Sequence, residues 1–250
     1  MSERCPTGIS GLDEILGGGF PRGRCILLSG GSGTGKTTFG VQFLVEGIKK
    51  HSENGVLVTL EQNSGELRDD MTHYGFNIQE MEDSQNLILI DTSLAKVGIK
   101  EYLTSVPLEP DSSFSLLPDE FDMEKIVDLT VSAAEKIGAK RVVIDSLPAL
   151  DYMIENEADV RRSLINMNYQ FKEAGLTAVL ITESLEDNGI TRHAVEEYIT
   201  DGVIILKANE ALDTRTLRIH KMRVTKHTLK PISFNLTPEG IHIEAPKHKL

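Results

Sequence analysis

Only two cysteines occur in the 250 residues, Cys5 and Cys25, and they lack the C-x-x-C spacing of a redox or metal motif. Cys25 opens an apolar run, so reduced thiols in a cytosolic protein are the expected state. No hydrophobic signal core accompanies the N-terminal "MSERCPTG", and no apolar run approaches membrane-spanning length. The chain is therefore expected to be soluble and cytoplasmic, with no membrane partner. Basic residues are in the minority: 26 Lys and Arg face 38 Asp and Glu, for a formal net charge of -12. That balance argues against generic attraction to nucleic acid, while leaving room for a local basic site. Internal repeats and low-complexity tails are missing too. The remainder is ordinary globular composition, 40% hydrophobic and 26% charged. The length is enough for one large domain over residues 1–250 and does not require two.

Several short runs are apolar throughout: "CILL" (25–28), "GVLVTL" (55–60), "LILI" (87–90), "VVI" (142–144), "AVLI" (178–181) and "VIIL" (203–206). Strands buried on both faces read this way, as in a parallel sheet covered by helices. Helical stripes lie between them. One runs through Val160, Leu164, Met167, Phe171 and Ala174, with Asn156 as N-cap and Gly175 as stop. Another runs through Ile126, Leu129, Ala133 and Ile137 and closes at Gly138. The alternation predicts an α/β fold with a mostly parallel central sheet flanked by helices. After about residue 202, "TLRIHKMRV", "ISFNL" and "GIHIEA" read as antiparallel additions. Residues 95–120, where "LEPDSSFSLLPDEF" holds two prolines, several acidic residues and serines, read as a long loop of the kind that is functional or mobile.

"GGSGTGKTT" fits the phosphate-binding pattern G-x-x-x-x-G-K-[ST]. A strand precedes it and a helix can follow, as the motif requires. Glycines let backbone N–H groups turn toward phosphates, and the helix N-terminus adds partial positive charge. The candidate nucleotide-binding residues are Gly30, Gly31, Ser32, Gly33, Thr34, Gly35, Lys36, Thr37 and Thr38. Lys36 would reach the terminal phosphates and the Thr37 hydroxyl would ligate magnesium. In an open α/β sheet, ligands bind outside the carboxyl ends of strands. Asp145, after "RVVI", is the candidate second magnesium ligand; taken alone it reads equally as a helix cap. Glu61, after "VLVTL", is the candidate group that orients or deprotonates water; taken alone it reads as an exposed strand-end glutamate.

"KMRVTKH" places four basic side chains in seven residues. In a regular strand Leu217, Ile219, Lys221 and Arg223 share one face, so an apolar side turns cationic. Cations that continue an apolar face need an anionic partner, and a triphosphate is one. The alternative is a solvated basic strand end.

These motifs, with "TGISGLDEILGGGFPRG", "VTLEQ", "RVVIDSLPAL", "VLITES", "VEEYITDGVIIL" and "LTPEGI", occur in the order of KaiC-type ATPases of the RecA superfamily. The resemblance spans nearly the whole chain, and its single domain looks like the archaeal-style members rather than the two-domain clock protein. It implies a RecA-like P-loop core in a homo-oligomeric ring, usually a hexamer, with ATP and Mg2+ between subunits. It implies that Lys221, Arg223 and His227 project onto ATP held by a neighbour, with Lys221 and Arg223 catalytic and His227 nucleotide-binding. It matches Glu61 to the first of a glutamate pair whose second position is Gln62 here. Thr182-Glu183 matches a sensing segment, and Asp145-Ser146 a strand end where a cis peptide is common. Val224 and Lys226 stand where small residues are usual.

Three readings follow. The first is an ATP-hydrolysing ring that couples nucleotide state to a protein partner. The second is a recombinase relative, whose DNA-holding loops would be "LPALDYMIENEAD" and "ESLEDNGITRHAVEE"; both are predominantly acidic, so nucleic acid is the weaker expectation. The third is a nucleotide-binding adaptor with negligible turnover. Clock-type self-phosphorylation is not expected, because Glu197 and Tyr198 occupy the Ser-Thr positions before Ile199-Thr200-Asp201.

Overall fold

The computed structural model describes residues 3–92, 114–115, 123–152, 156–184 and 195–243. In chain order, β1 is Arg4–Cys5, α1 Leu12–Leu16, β2 Phe20–Pro21, β3 Cys25–Gly30 and α2 Lys36–His51. Then come β4 Gly55–Thr59, α3 Ser64–Thr72, α4 Ile78–Asp83, β5 Leu87–Asp91, β6 Phe114–Ser115 and α5 Met123–Ile137. The last part holds β7 Arg141–Asp145, α6 Glu157–Glu173, β8 Thr177–Glu183, α7 Glu196–Ile199, β9 Gly202–Asn209, β10 Thr214–Met222, β11 Ile232–Thr237 and β12 Gly240–Ile243. Of the segment read as a long loop, 95–113 and 116–120 lie outside the described residues, and Phe114–Ser115 pairs with β5.

One sheet runs in the order β12-β11-β10-β9-β3-β8-β7-β4-β5-β6. Its strands from β9 to β6 are parallel, and β10, β11 and β12 extend it antiparallel beyond β9. The apolar runs are the parallel strands. Ile26, Leu28, Val143, Val179 and Ile181 join the core with α2, while Leu27, Val142, Ile144, Ala178 and Leu180 join the core with α5 and α6. Successive side chains point to opposite faces, and both faces are covered, so neither parity can be polar. The helix stops also lie where the sequence puts them. Asn156 caps α6 by accepting from Asp159 N at 3.0 Å, and Gly175 (φ 68°) and Gly138 (φ 63°) end α6 and α5. Among the described residues no helix is long and apolar enough to cross a membrane, and Cys5 and Cys25 are free and buried.

β7 begins with a fully buried arginine, Arg141. Its guanidinium donates to Glu53 Oε2 at 2.7 Å and to the carbonyls of Pro6 and Phe43 at 2.8 Å each, over the Phe43 ring. Arg22 Nη2 approaches the other Glu53 oxygen at 2.7 Å. Burial pushes the Glu53 carboxyl pKa up, but hydrogen bonds from Arg141 and Arg22 outweigh it and hold the carboxyl below its ordinary value. The pair therefore stabilises the fold above the ordinary glutamate pKa, about 4.3. That stabilisation is lost as pH falls through the lower folded value. Glu53→Ala strands a buried cation and is expected to cost roughly 3 kcal/mol at neutral pH. Urea unfolding at several pH values tests this: the gap from wild type should shrink on acidification, and a gap independent of pH would refute the assignment.

Candidate nucleotide site

The strand order brings the carboxyl ends of β3, β8, β7 and β4 side by side. From these ends come the glycine-rich loop, Glu183, Asp145 and, two residues past β4, Glu61. They line one cleft of about 340 Å3 with Ser32, Gly33, Thr34, Gly35, Lys36, Thr37, Thr38, Tyr74, Ser146 and Leu236. Glu61, Asp145 and Lys36, named from separate stretches of sequence, are thus brought together.

The loop leaves β3 at Gly30 and enters α2 at Lys36. Gly33 (φ 69°) and Gly35 (φ 94°) take left-handed conformations that L side chains rarely adopt. A Cβ at Gly31 or Gly33 would meet nothing within 4 Å, so the loop borders open space. Gly35 caps α2 without a side-chain hydrogen bond, which leaves the helix's first amides to an outside acceptor. Lys36 Nζ donates to the carbonyls of Gly30 at 2.9 Å and Gly31 at 2.7 Å. Burial pushes the Lys36 pKa down, against the opposing pull of Glu183, Asp145 and Glu61.

Asp145 shares a hydrogen bond with Thr37. Burial and the nearby Glu61 charge raise its carboxyl to about 6, although Thr37 and Lys36 work in the other direction. The Asp145–Ser146 peptide is cis, as the resemblance implies. The Thr37 hydroxyl and Asp145 carboxylate form a small oxygen donor set. That suits magnesium, which keeps several waters and takes phosphate oxygens as further ligands.

Sequence reasoning did not find Tyr74 or Leu236. Tyr74 follows α3 and stacks on Phe76, with ring centroids 6.2 Å apart. Leu236 arrives on β11, and its Cδ2 would lie 3.2 Å from a Cβ at Gly35. Gln62 is not among the cleft residues; its Nε2 donates to Asp70 Oδ2 at 2.7 Å.

The basic stretch needs a correction. Ile219 pairs with Ile204 and Lys221 with Val203, so His220 is an extra residue that breaks the strand's alternation. Leu217, Ile219 and Met222 are buried, Lys221 is not on their face, and Arg223 lies beyond the strand. The expected single apolar-to-cationic face does not form. Lys221 Nζ instead donates to the carbonyls of Glu197 at 3.0 Å and Thr200 at 2.7 Å. Arg223 is exposed, with Nη1 3.9 Å from Asp201 Oδ1. His227 Nδ1 lies 3.2 Å from Thr228 O. None of the three lines its own chain's cleft.

A family model described as "ATPase: KaiC" matches residues 5–248. The chain belongs to the KaiC ATPase family. It is 34% identical over 244 residues to the circadian clock oscillator protein KaiC of Parasynechococcus marenigrum, covering 96% of this chain and 44% of that protein. It is 35% identical over 242 residues to circadian clock protein KaiC2 of Synechocystis, covering 96% and 40%. The chain thus spans less than half the length of these KaiC relatives. The crystal structure of the KaiC-like protein PH0186 from the archaeon Pyrococcus horikoshii superposes with a TM-score of 0.80 at 32% identity, covering 98% of this chain and 100% of that one. The RecA-like KaiC fold expected from the sequence is therefore the fold of this chain.

Proposed function

We propose that this KaiC-family chain, acting as one domain, binds MgATP and hydrolyses it slowly in a cytoplasmic homo-oligomeric ring. Each active site is divided between two subunits. The observation that carries this reading is the separation just described: Lys36, Thr37, Asp145 and Glu61 share a cleft, while Lys221, Arg223 and His227 lie outside it. A ring of six, as the resemblance implies, would bring those cations to the neighbour's cleft.

In this reading the glycine-loop amides and Lys36 bind the phosphates. Thr37 and Asp145 hold magnesium, which neutralises phosphate charge when bound. Glu61 orients the attacking water and accepts its proton. Lys221 and Arg223 from the next subunit oppose the charge that develops on the transferred group, and His227 contacts the nucleotide. Nucleotide state would then be passed to a regulatory protein partner. Phosphate release under saturating MgATP, with native mass recorded on the same sample, tests the proposal. Release indistinguishable from the protein-free control would reduce the chain to a nucleotide-binding adaptor.

Self-phosphorylation is not part of this function. Glu197 has no hydroxyl, and Tyr198 is long where a short acceptor is needed. Intact mass after incubation with MgATP is expected to stay unchanged; stoichiometric serine or threonine phosphate mapped to 197–200 would contradict this. DNA binding is not proposed either, given the acidic loops. Of those loops, 153–155 and 185–194 lie outside the described residues.

A further inference from the structure

The stretch that carries Arg223 is tied to its own subunit on both sides. On the strand side, besides the Lys221 bonds, Arg223 N donates to Asp201 O at 2.9 Å. On the far side the tie comes from the other end of the chain. Arg4, on β1, donates from Nη1 to Thr225 Oγ1 at 2.6 Å and from Nη2 to Val224 O at 3.0 Å. Arg4 is itself held in place. β1 pairs with β2, and Arg4 O accepts from Arg22 Nη2 at 3.1 Å.

Val224 sits between these ties with φ 52°, in the left-handed region. A β-branched residue there is a genuine outlier. The residue is 63% exposed, so packing does not hold it in that conformation. Polar contacts flank it instead: its carbonyl and the Thr225 hydroxyl accept from Arg4, and that hydroxyl donates to Arg223 O at 3.3 Å. The Arg223 side chain, by contrast, is exposed, and among the described residues its ion pair is a loose one, 3.9 Å from Asp201 Oδ1. The backbone that aims it is fixed, while its guanidinium is available to a partner.

We infer that Arg4 is a positioning residue: by clamping the Val224 carbonyl and the Thr225 hydroxyl, it fixes the turn that presents Arg223 to the neighbouring subunit's cleft. The inference rests on the divided site proposed above. A charge-stabilising group works best when its position is set before the reaction, because reorganisation then adds nothing to the barrier. Arginine suits the task, since its planar guanidinium holds several donors in a rigid fork, whereas a lysine ammonium is a compact point charge on a flexible stem.

The test compares Arg4→Ala, Arg4→Lys and Thr225→Val with Arg223→Ala. Phosphate release, KM for ATP, and amide hydrogen exchange at 223–226 in nucleotide-free protein are measured for each. Arg4→Ala is expected to lower kcat roughly ten- to a hundredfold, as misplacement of a reacting group does, with KM nearly unchanged. Exchange at 223–226 should speed up. Arg4→Lys should recover part of both effects. Thr225→Val, which keeps side-chain shape, should reproduce the loss in milder form without depending on the N-terminal segment. In mixed oligomers with Lys36→Ala subunits, Arg4→Ala should behave like Arg223→Ala and regain activity. If Arg223→Ala loses turnover while Arg4→Ala and Thr225→Val keep it, the positioning role is wrong and the divided site stands. Full turnover in Arg223→Ala would overturn both.

Discussion

Lys36→Ala is expected to lose ATP binding, whereas Glu61→Gln should keep binding and lose turnover. Lys36 is partly buried at the mouth of the glycine loop, held by the Gly30 and Gly31 carbonyls and surrounded by Glu183, Asp145 and Glu61. Removing its ammonium leaves an acidic cleft facing an anionic ligand. Truncating one member of a desolvated charge pair costs about 2–5 kcal/mol, so the affinity loss should exceed roughly thirtyfold. Glu61 has a different task. Glutamine preserves its size and some hydrogen bonding but cannot take a proton, and general-base catalysis contributes about 10²–10⁴-fold. Calorimetric titration with MgATP and phosphate release separate the two effects. Unchanged release in Glu61→Gln would remove Glu61 from the role, and Glu183, at the end of β8 in the same cleft, would be the next base to test.

The second large effect concerns Arg223. Arg223→Ala is expected to lower turnover on the order of a thousandfold, the contribution of arginines that act on phosphoryl transfer across a subunit boundary. Its glycine loop, Asp145 and Glu61 remain intact, so ATP binding should survive. Lys36→Ala has the opposite defect, a sound Arg223 and an empty cleft. Co-expressed in the same ring, the two variants should recover part of the activity, at interfaces where an intact glycine loop meets an intact arginine. If each Arg223 served its own chain's ATP, every chain would lack one essential group and mixing would restore nothing. Native mass of the co-expressed sample must establish that the rings are mixed.

Much of this was legible because local sequence and fold agree. Unbroken apolar runs such as "CILL" mark strands covered on both faces, and Asn156, Gly138 and Gly175 mark helix ends by their capping chemistry. The glycine loop declares itself by spacing, and the acidic residues at strand ends follow from where an α/β sheet binds ligands. What was not legible depends on contacts between distant segments. Leu236 reaches Gly35 only because β11 is an antiparallel extension of the sheet, on the far side of β10 and β9. Nothing in "KRVVI" signals that Arg141 is fully buried, with its guanidinium on Glu53, which Arg22 also approaches. The face assigned to Lys221 and Arg223 failed for a local reason: one extra residue at His220 shifts the register, and the pattern of apolar residues before it gives no warning. Arg4 and Val224 lie at opposite ends of the sequence, and their hydrogen bond has no signature in either stretch.

The central claim is that one subunit alone is an incomplete enzyme. Phosphate release per subunit, measured across a dilution series with native mass at each concentration, tests it most directly. The divided site predicts that turnover per subunit follows the assembled fraction and approaches zero when only monomers remain. Monomers that release phosphate at the full per-subunit rate would contradict it.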